Sequence, residues 1–268
     1  MFYLVSHGNV SNEVYYATSE DGLHWTPYGD QPIFVADEAL APNGVNTARV
    51  FLDGDLWRMY LSLTNTLPDS IALVTAASPT GPWVAETPPQ LAGGSRGEWD
   101  AGDILVTSFV HTNTGFVVYY VPLISRVTIG MATSLDGIEW TKNDNWATTD
   151  AAHITSDPVF NWNEDDDAWD SGEVAHPIVR LSENGWEMFY TATHSIGCCY
   201  EMGYATSDDG ITWTRLDAPI LTQENGVIWP TSLAVVDEVY YVYYGYFSYS
   251  GGGIHIGVAT GTVSSEED

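Results

Sequence analysis

Ala132-Thr133-Ser134-Leu135-Asp136-Gly137-Ile138-Glu139-Trp140-Thr141 is one of three near copies of a ten-residue stretch. The same frame stands at Ala17-Thr18-Ser19-Glu20-Asp21-Gly22-Leu23-His24-Trp25-Thr26 and at Ala205-Thr206-Ser207-Asp208-Asp209-Gly210-Ile211-Thr212-Trp213-Thr214. A looser fourth copy, Ala77-Ser78-Pro79-Thr80-Gly81-Pro82-Trp83, lies between the first two. Ser19, Ser78, Ser134 and Ser207 are 59, 56 and 73 residues apart, so one unit is about the size of a four-stranded propeller blade. The motif itself reads as scaffold. Ser and Asp side chains bond local backbone groups, Gly takes a positive φ, and Trp packs between neighbouring blades. Burying such an indole is worth about 4–6 kcal/mol by area.

Outward from these turns, aromatic and β-branched runs follow tight-turn signals. Leu56–Leu61 follows Asp53-Gly54-Asp55, Phe116–Tyr120 follows Asn113-Thr114-Gly115, and Trp186–Tyr190 follows Glu183-Asn184-Gly185. That is hairpin chemistry, and helical periodicity is nearly absent. A blade therefore reads as four strands: an inner strand, an aromatic strand, a strand ending in Ser-x-Asp-Gly, and a fourth starting at Trp. The expected fold is all-β, a five-bladed β-propeller of four-stranded antiparallel blades in one domain over 1–268. The blades fall at about 1–35, 43–91, 99–148, 169–221 and 226–263, and the first lacks its inner strand, beginning at its second.

The composition agrees with a globular chain: 268 residues, 44% hydrophobic and 16% charged. No run approaches the 18 apolar residues of a membrane span, and the start has no basic region, so no signal peptide is visible. The 36 acidic residues outnumber 7 Lys+Arg for a net charge of −29, and Lys142 is the only lysine. Nucleic acid and anionic membranes would be repelled. Such a surface suits secretion, a periplasmic or extracellular setting, or salt water, where ions screen exposed charges beyond about 8 Å. Cation binding is the sharper reading of the acidity. Asn163-Glu164-Asp165-Asp166-Asp167 offers oxygen ligands for Ca²⁺ but lacks the spacing and glycine of a calcium loop, and reads as a solvated loop. Cys198 and Cys199 are adjacent, and two free thiols on opposite faces of a strand is the expectation; a vicinal disulfide would need an oxidising compartment.

The repeats, with Gly97-Glu98-Trp99-Asp100 and Ala168-Trp169-Asp170-Ser171-Gly172 leading into inner strands, resemble the five-bladed propellers of glycoside hydrolase family 43 and its relatives in families 32, 62, 68 and 117. The resemblance covers nearly the whole chain. It implies three carboxylates around the mouth of a central channel, inverting hydrolysis with an acid and a base about 6.5–9.5 Å apart, and an oligo- or polysaccharide substrate. It requires no cofactor, and a structural Ca²⁺ or other cation would fit the acidity. The chain departs from the pattern at the first blade, where the family keeps its base. Its second inner strand offers Asn43, Asn46 and Arg49 and no carboxylate.

Trp99-Asp100-Ala101-Gly102-Asp103 and Trp169-Asp170-Ser171-Gly172-Glu173 align position for position. Asp103 and Glu173 are thus expected at equivalent points of adjacent inner strands, facing one cavity in which two carboxylates push each other's pKa apart. Glu173 is the expected proton donor, and Asp103 the base or pKa modulator. Substrate contacts are expected from Arg49, paired with a channel carboxylate, and from Asn46, His176, Trp229, Asp100 and Asp170. Trp229 is a stacking platform for a sugar ring, and His176 is also a candidate metal position. The leading expectation is a glycoside hydrolase acting on arabinose-, xylose-type or related saccharides. The alternatives are a catalytically silent propeller that binds glycans or a protein partner, and an enzyme trimmed at its N-terminus.

Overall fold

The computed structural model describes residues 1–7, 10–64, 71–89, 91–123, 127–148, 150–194, 199–223, 225–251 and 253–262. Five antiparallel sheets follow one another along the chain, with no α-helix among the described residues. The first sheet comprises β1 (Phe2–His7), β2 (Val10–Thr18) and β3 (Thr26–Pro27), with β4 (Phe34–Val35) also paired to β2. The second is β5 (Val45–Asp53), β6 (Leu56–Leu63), β7 (Ile71–Ala76) and β8 (Val84–Ala85); the third is β9 (Ile104–Thr112), β10 (Gly115–Pro122), β11 (Gly130–Ser134) and β12 (Thr141–Lys142). The fourth is β13 (Glu173–Ser182), β14 (Gly185–Thr193), β15 (Glu201–Ser207) and β16 (Thr214–Arg215). β17 (Gly226–Val236), β18 (Val239–Ser248) and β19 (His255–Gly261) form the fifth, which has three strands among the described residues rather than the expected four.

This is the make-up of a five-bladed β-propeller. The Ala-Thr-Ser copies end β2, β11 and β15, so by the repeat β2 holds the place of a third strand and β1 that of a second; among the described residues no further strand of the first sheet pairs with β1. The chain divides into two compact units, residues 1–125 with 130–158, and 126–129 with 159–268. In the first unit, Val14, Val45, Met59, Leu61 and Val74 are buried together, joining the first and second sheets. Tyr60, Leu73, Ile104, Val118 and Tyr120 do the same for the second and third. In the other unit, Phe189, Met202, Ile228 and Val242 fill the space between the fourth and fifth sheets. β7, β10 and β14 are buried on both faces, which explains their apolar runs, whereas β17 alternates as a half-exposed strand does.

The repeated turn has one geometry in its three strict copies. Ser134 Oγ accepts from the Gly137 amide, Asp136 Oδ1 accepts from the amides of Ile138 and Glu139, and the Trp140 indole donates to the Gly137 carbonyl at 3.2 Å. Ser19, Asp21, Gly22 and Trp25, and Ser207, Asp209, Gly210 and Trp213, repeat every bond. The glycines sit at φ of 73°, 80° and 76°. All three indoles are only half-buried, because each doubles as the lid of its own turn, so their burial is worth less than full enclosure. In the loose copy Ser78 Oγ instead donates to the Gly81 carbonyl, no Asp holds the following amides, and the Trp83 indole nitrogen is buried without a partner.

Candidate active site

Each inner hairpin carries one register shift, which falls at Asn46 in β5, Thr107 in β9, His176-Pro177 in β13 and Thr231 in β17. A bulge re-aims the side chains beside it. His176 has the strained φ of 48°, a left-handed conformation uncommon for a residue with a Cβ. Two of the candidate contacts, Asn46 and His176, are thus bulge residues.

Asp100 and Asp170 occupy another kind of place. Asp100 is 0% exposed; its Oδ2 accepts from Lys142 Nζ at 2.6 Å and from the Tyr120 hydroxyl at 3.0 Å. Asp170, also 0% exposed, accepts from Arg215 Nη1 at 2.7 Å and the Tyr190 hydroxyl at 3.2 Å. Around each, the frame repeats residue for residue. Trp99 stacks on Tyr120 and Trp169 on Tyr190, both with ring centres 5.9 Å apart, and Gly130 and Gly203 lie against those ring pairs. The basic residue is the second after the motif's Trp and ends the short outer strand. Expected to touch substrate, both aspartates are instead enclosed pins that tie the segment before the inner strand to the blade's outer edge, because a carboxylate removed from water must keep a cation. Burial holds the Tyr120 and Tyr190 hydroxyls far above the ordinary phenol range, helped by the charge of the neighbouring aspartate.

Three residues downstream, the carboxylates have different surroundings. Asp103, in the first unit, is half-buried just before β9, its carbonyl accepting from the Leu123 amide and its Oδ1 buried without a hydrogen-bond partner. Glu173, in the second unit, opens β13 opposite Thr193, and its half-buried carboxylate accepts from the Tyr200 hydroxyl at 3.0 Å. Tyr200 is fixed by its backbone: its amide donates to the Gly226 carbonyl at 3.2 Å and its carbonyl accepts from Ile228 at 3.1 Å. Burial, then the negative charge of Glu173, pushes the Tyr200 hydroxyl up to about 12. The hydroxyl therefore stays protonated at neutral pH and donates. Sequence reasoning missed Tyr200, since it belongs to no motif; it lies just before β15 and forms an isolated parallel bridge with Val227 of β17. Burial also raises the neighbouring Glu201 carboxyl.

Arg49 was expected to pair with a carboxylate. Its Nε donates instead to the Thr107 carbonyl on β9 at 2.6 Å, and among the described residues it forms no ion pair. Burial lowers its pKa to about 10, so the guanidinium is still charged. Trp229, half-buried on β17, is tilted at 60° to Phe247 with ring centres 6.2 Å apart, and Gly245 provides the space beneath its indole. Among the described residues no group of three His, Cys, Asp or Glu is placed to hold a metal ion, at His176 or elsewhere. The acidic loop closes on itself, Asn163 Oδ1 accepting from the Asp165 amide and Asp165 Oδ1 from that of Asp167. Cys199 is disulfide-bonded, which corrects the free-thiol expectation; Cys198 lies outside the described residues.

No protein-family model and no curated protein sequence matches the chain. Solved structures do. A glycosyl hydrolase from Bacteroides ovatus superposes with a TM-score of 0.69 at 20% identity, covering 97% of this chain and 80% of its own. A structure described under the GH130 family of mannoside phosphorylases, containing glycoside hydrolases that target β-1,2 mannosidic linkages in Candida mannan, matches with a TM-score of 0.63 at 19% identity over 93% and 75%. The β-1,2-mannobiose phosphorylase of Listeria innocua matches with a TM-score of 0.59 at 19% identity over 88% and 64%. At these identities the likeness establishes the fold that the chain shares with glycoside hydrolase-like propellers.

Proposed function

We propose that the chain is a glycan-active propeller that cleaves a glycosidic bond, with Glu173 as the proton donor. One observation carries the reading: Glu173 opens an inner strand, half-buried, with its carboxylate held by the Tyr200 phenol, while Asp170 three residues before it is sealed against Arg215. Asp103 holds the same sequence position in its own blade, and its assignment as base or pKa modulator rests on that equivalence. Membership beside family 43, with inverting hydrolysis of arabinose- or xylose-type saccharides, is the finer form and rests on the motifs. No cofactor is required, a structural cation is compatible with the acidity, and the setting is extracellular or periplasmic. Similarity to a mannobiose phosphorylase adds inorganic phosphate as an acceptor to be tested beside water.

The test is a panel of nitrophenyl glycosides, plant and algal polysaccharides and β-1,2-mannobiose, with and without phosphate. Turnover is expected from wild type and a loss of at least about 10²-fold from Glu173→Gln. No turnover on the panel, or full activity in Glu173→Gln, overturns the reading. A second reading, glycan binding without cleavage, is favoured by the opening of β5, where Asn46 and Arg49 stand while the strand's one carboxylate, Asp53, closes its far end against Arg58. Glycan-array binding without product release selects it.

A further inference from the structure

Arg58, Lys142, Arg180 and Arg215 each have a carboxylate within 2.9 Å, and Arg96 is exposed to water. Arg49 has neither arrangement. It is half-buried in β5, and its Nε is spent on the Thr107 carbonyl at 2.6 Å, where the register shift of β9 falls. Its two terminal nitrogens make no hydrogen bond and no ion pair among the described residues. Unlike the indole nitrogens of Trp83 and Trp169, they are not sealed from solvent. Burial lowers the Arg49 pKa to about 10, which leaves the group charged at neutral pH. A charge partly stripped of water is costly unless an opposite charge faces it.

With Nε held, the guanidinium plane is fixed, and its outer edge presents two parallel N–H groups. Those are one half of a bidentate pair that a carboxylate completes. We propose that Arg49 binds the carboxylate of an acidic sugar, so that the saccharide taken by this propeller includes a uronic acid. The site rests on the reading of the chain as glycan-active and names its class of substrate; the acidic residue need not be the one whose bond is cut. One cation balances one carboxylate. A phosphate group brings more than one negative charge near neutrality, and the other cations described in the same unit are occupied or in solvent: Arg58 with Asp53, Lys142 with Asp100, and Arg96 exposed. The net charge of −29 repels any anion at long range, so selection falls to the contact itself. Salt screens that repulsion beyond about 8 Å and weakens a half-buried pair much less.

The test is calorimetric titration at about 0.15 M NaCl with galacturonate and glucuronate, as mono- and disaccharides, beside galactose, glucose and their disaccharides, and with inorganic phosphate. Each acidic sugar differs from its neutral counterpart by a carboxylate in place of a hydroxymethyl group. Wild type is expected to bind at least one acidic sugar about ten-fold or more tightly than its counterpart. Arg49→Met keeps the apolar stem, removes the fork and is expected to abolish the preference. Arg49→Lys keeps the charge without the fork and is expected to retain only part of it, which decides the matter should Arg49→Met fail to fold. No preference in wild type, or an undiminished one in either variant, overturns the inference. Binding of phosphate with no acidic sugar assigns the fork to free phosphate and overturns it as well. A preference lost in Arg49→Met, in a protein that cleaves no glycoside, supports the site and overturns the hydrolase reading. Turnover of neutral glycosides with no acidic preference does the reverse.

Discussion

Lys142 illustrates how much a single side chain carries in so acidic a chain. Its ammonium lies 2.6 Å from a carboxylate with no exposure, while its own side chain is 14% exposed. Removing one member of such a pair leaves a charge stranded in a low dielectric, whereas removing both need not be harmful. Lys142→Met is therefore expected to cost about 3–5 kcal/mol in urea unfolding, and Asp100→Leu combined with Lys142→Met to recover most of that loss. A double variant as unstable as the single one would show that geometry, rather than charge compensation, sets the cost. The alignment of the two Trp-Asp segments was readable in sequence, and it gave Asp100 and Asp170, and Asp103 and Glu173, equivalent sequence positions. It did not reveal which pair is sealed. The partner cations lie 42 and 45 residues away, and only the closing of each sheet onto its outer strand brings them in.

At the scale of the element, the Ser-x-Asp-Gly-x-x-Trp turn was legible because all of its bonds are local. Its carboxylates accept two backbone amides each, first from Ile138 and then Glu139 at Asp136, and first from Thr212 and then Ile211 at Asp209. These bonds hold both acids below the ordinary aspartate value of 3.8. A carboxyl whose folded pKa is depressed contributes stability that is present above its unfolded pKa and is lost as pH falls through the folded one. Below about pH 4, melting temperature should thus fall more steeply in wild type than in Asp136→Asn/Asp209→Asn, the two curves converging at the acid end. Parallel acid limbs would mean that the turns do not feel their own titration. The inner-strand bulges were not legible. A register shift depends on the partner strand, and nothing in Asn46-Thr47 or His176-Pro177 announces the extra residue.

Across the whole molecule, 7 basic residues face 36 acidic ones, and four of the basic side chains, Arg58, Lys142, Arg180 and Arg215, are taken up in internal ion pairs. Most of the acidic surface is left to solvent and counterions. Self-repulsion of that kind is screened by salt, so the melting temperature is expected to rise between about 0.02 M and about 0.5 M NaCl. A flat or falling dependence would place the repulsion in the unfolded chain as much as in the folded one. The sequence by itself determined the number of blades and, in the second, third and fourth, the order of their four strands, because repeat spacing and turn chemistry are written in neighbouring residues. Only the tertiary structure decided what each carboxylate does. Burial and the arrival of a distant partner separate Asp170, locked against Arg215, from Glu173, held by Tyr200, and those depend on strands meeting in space.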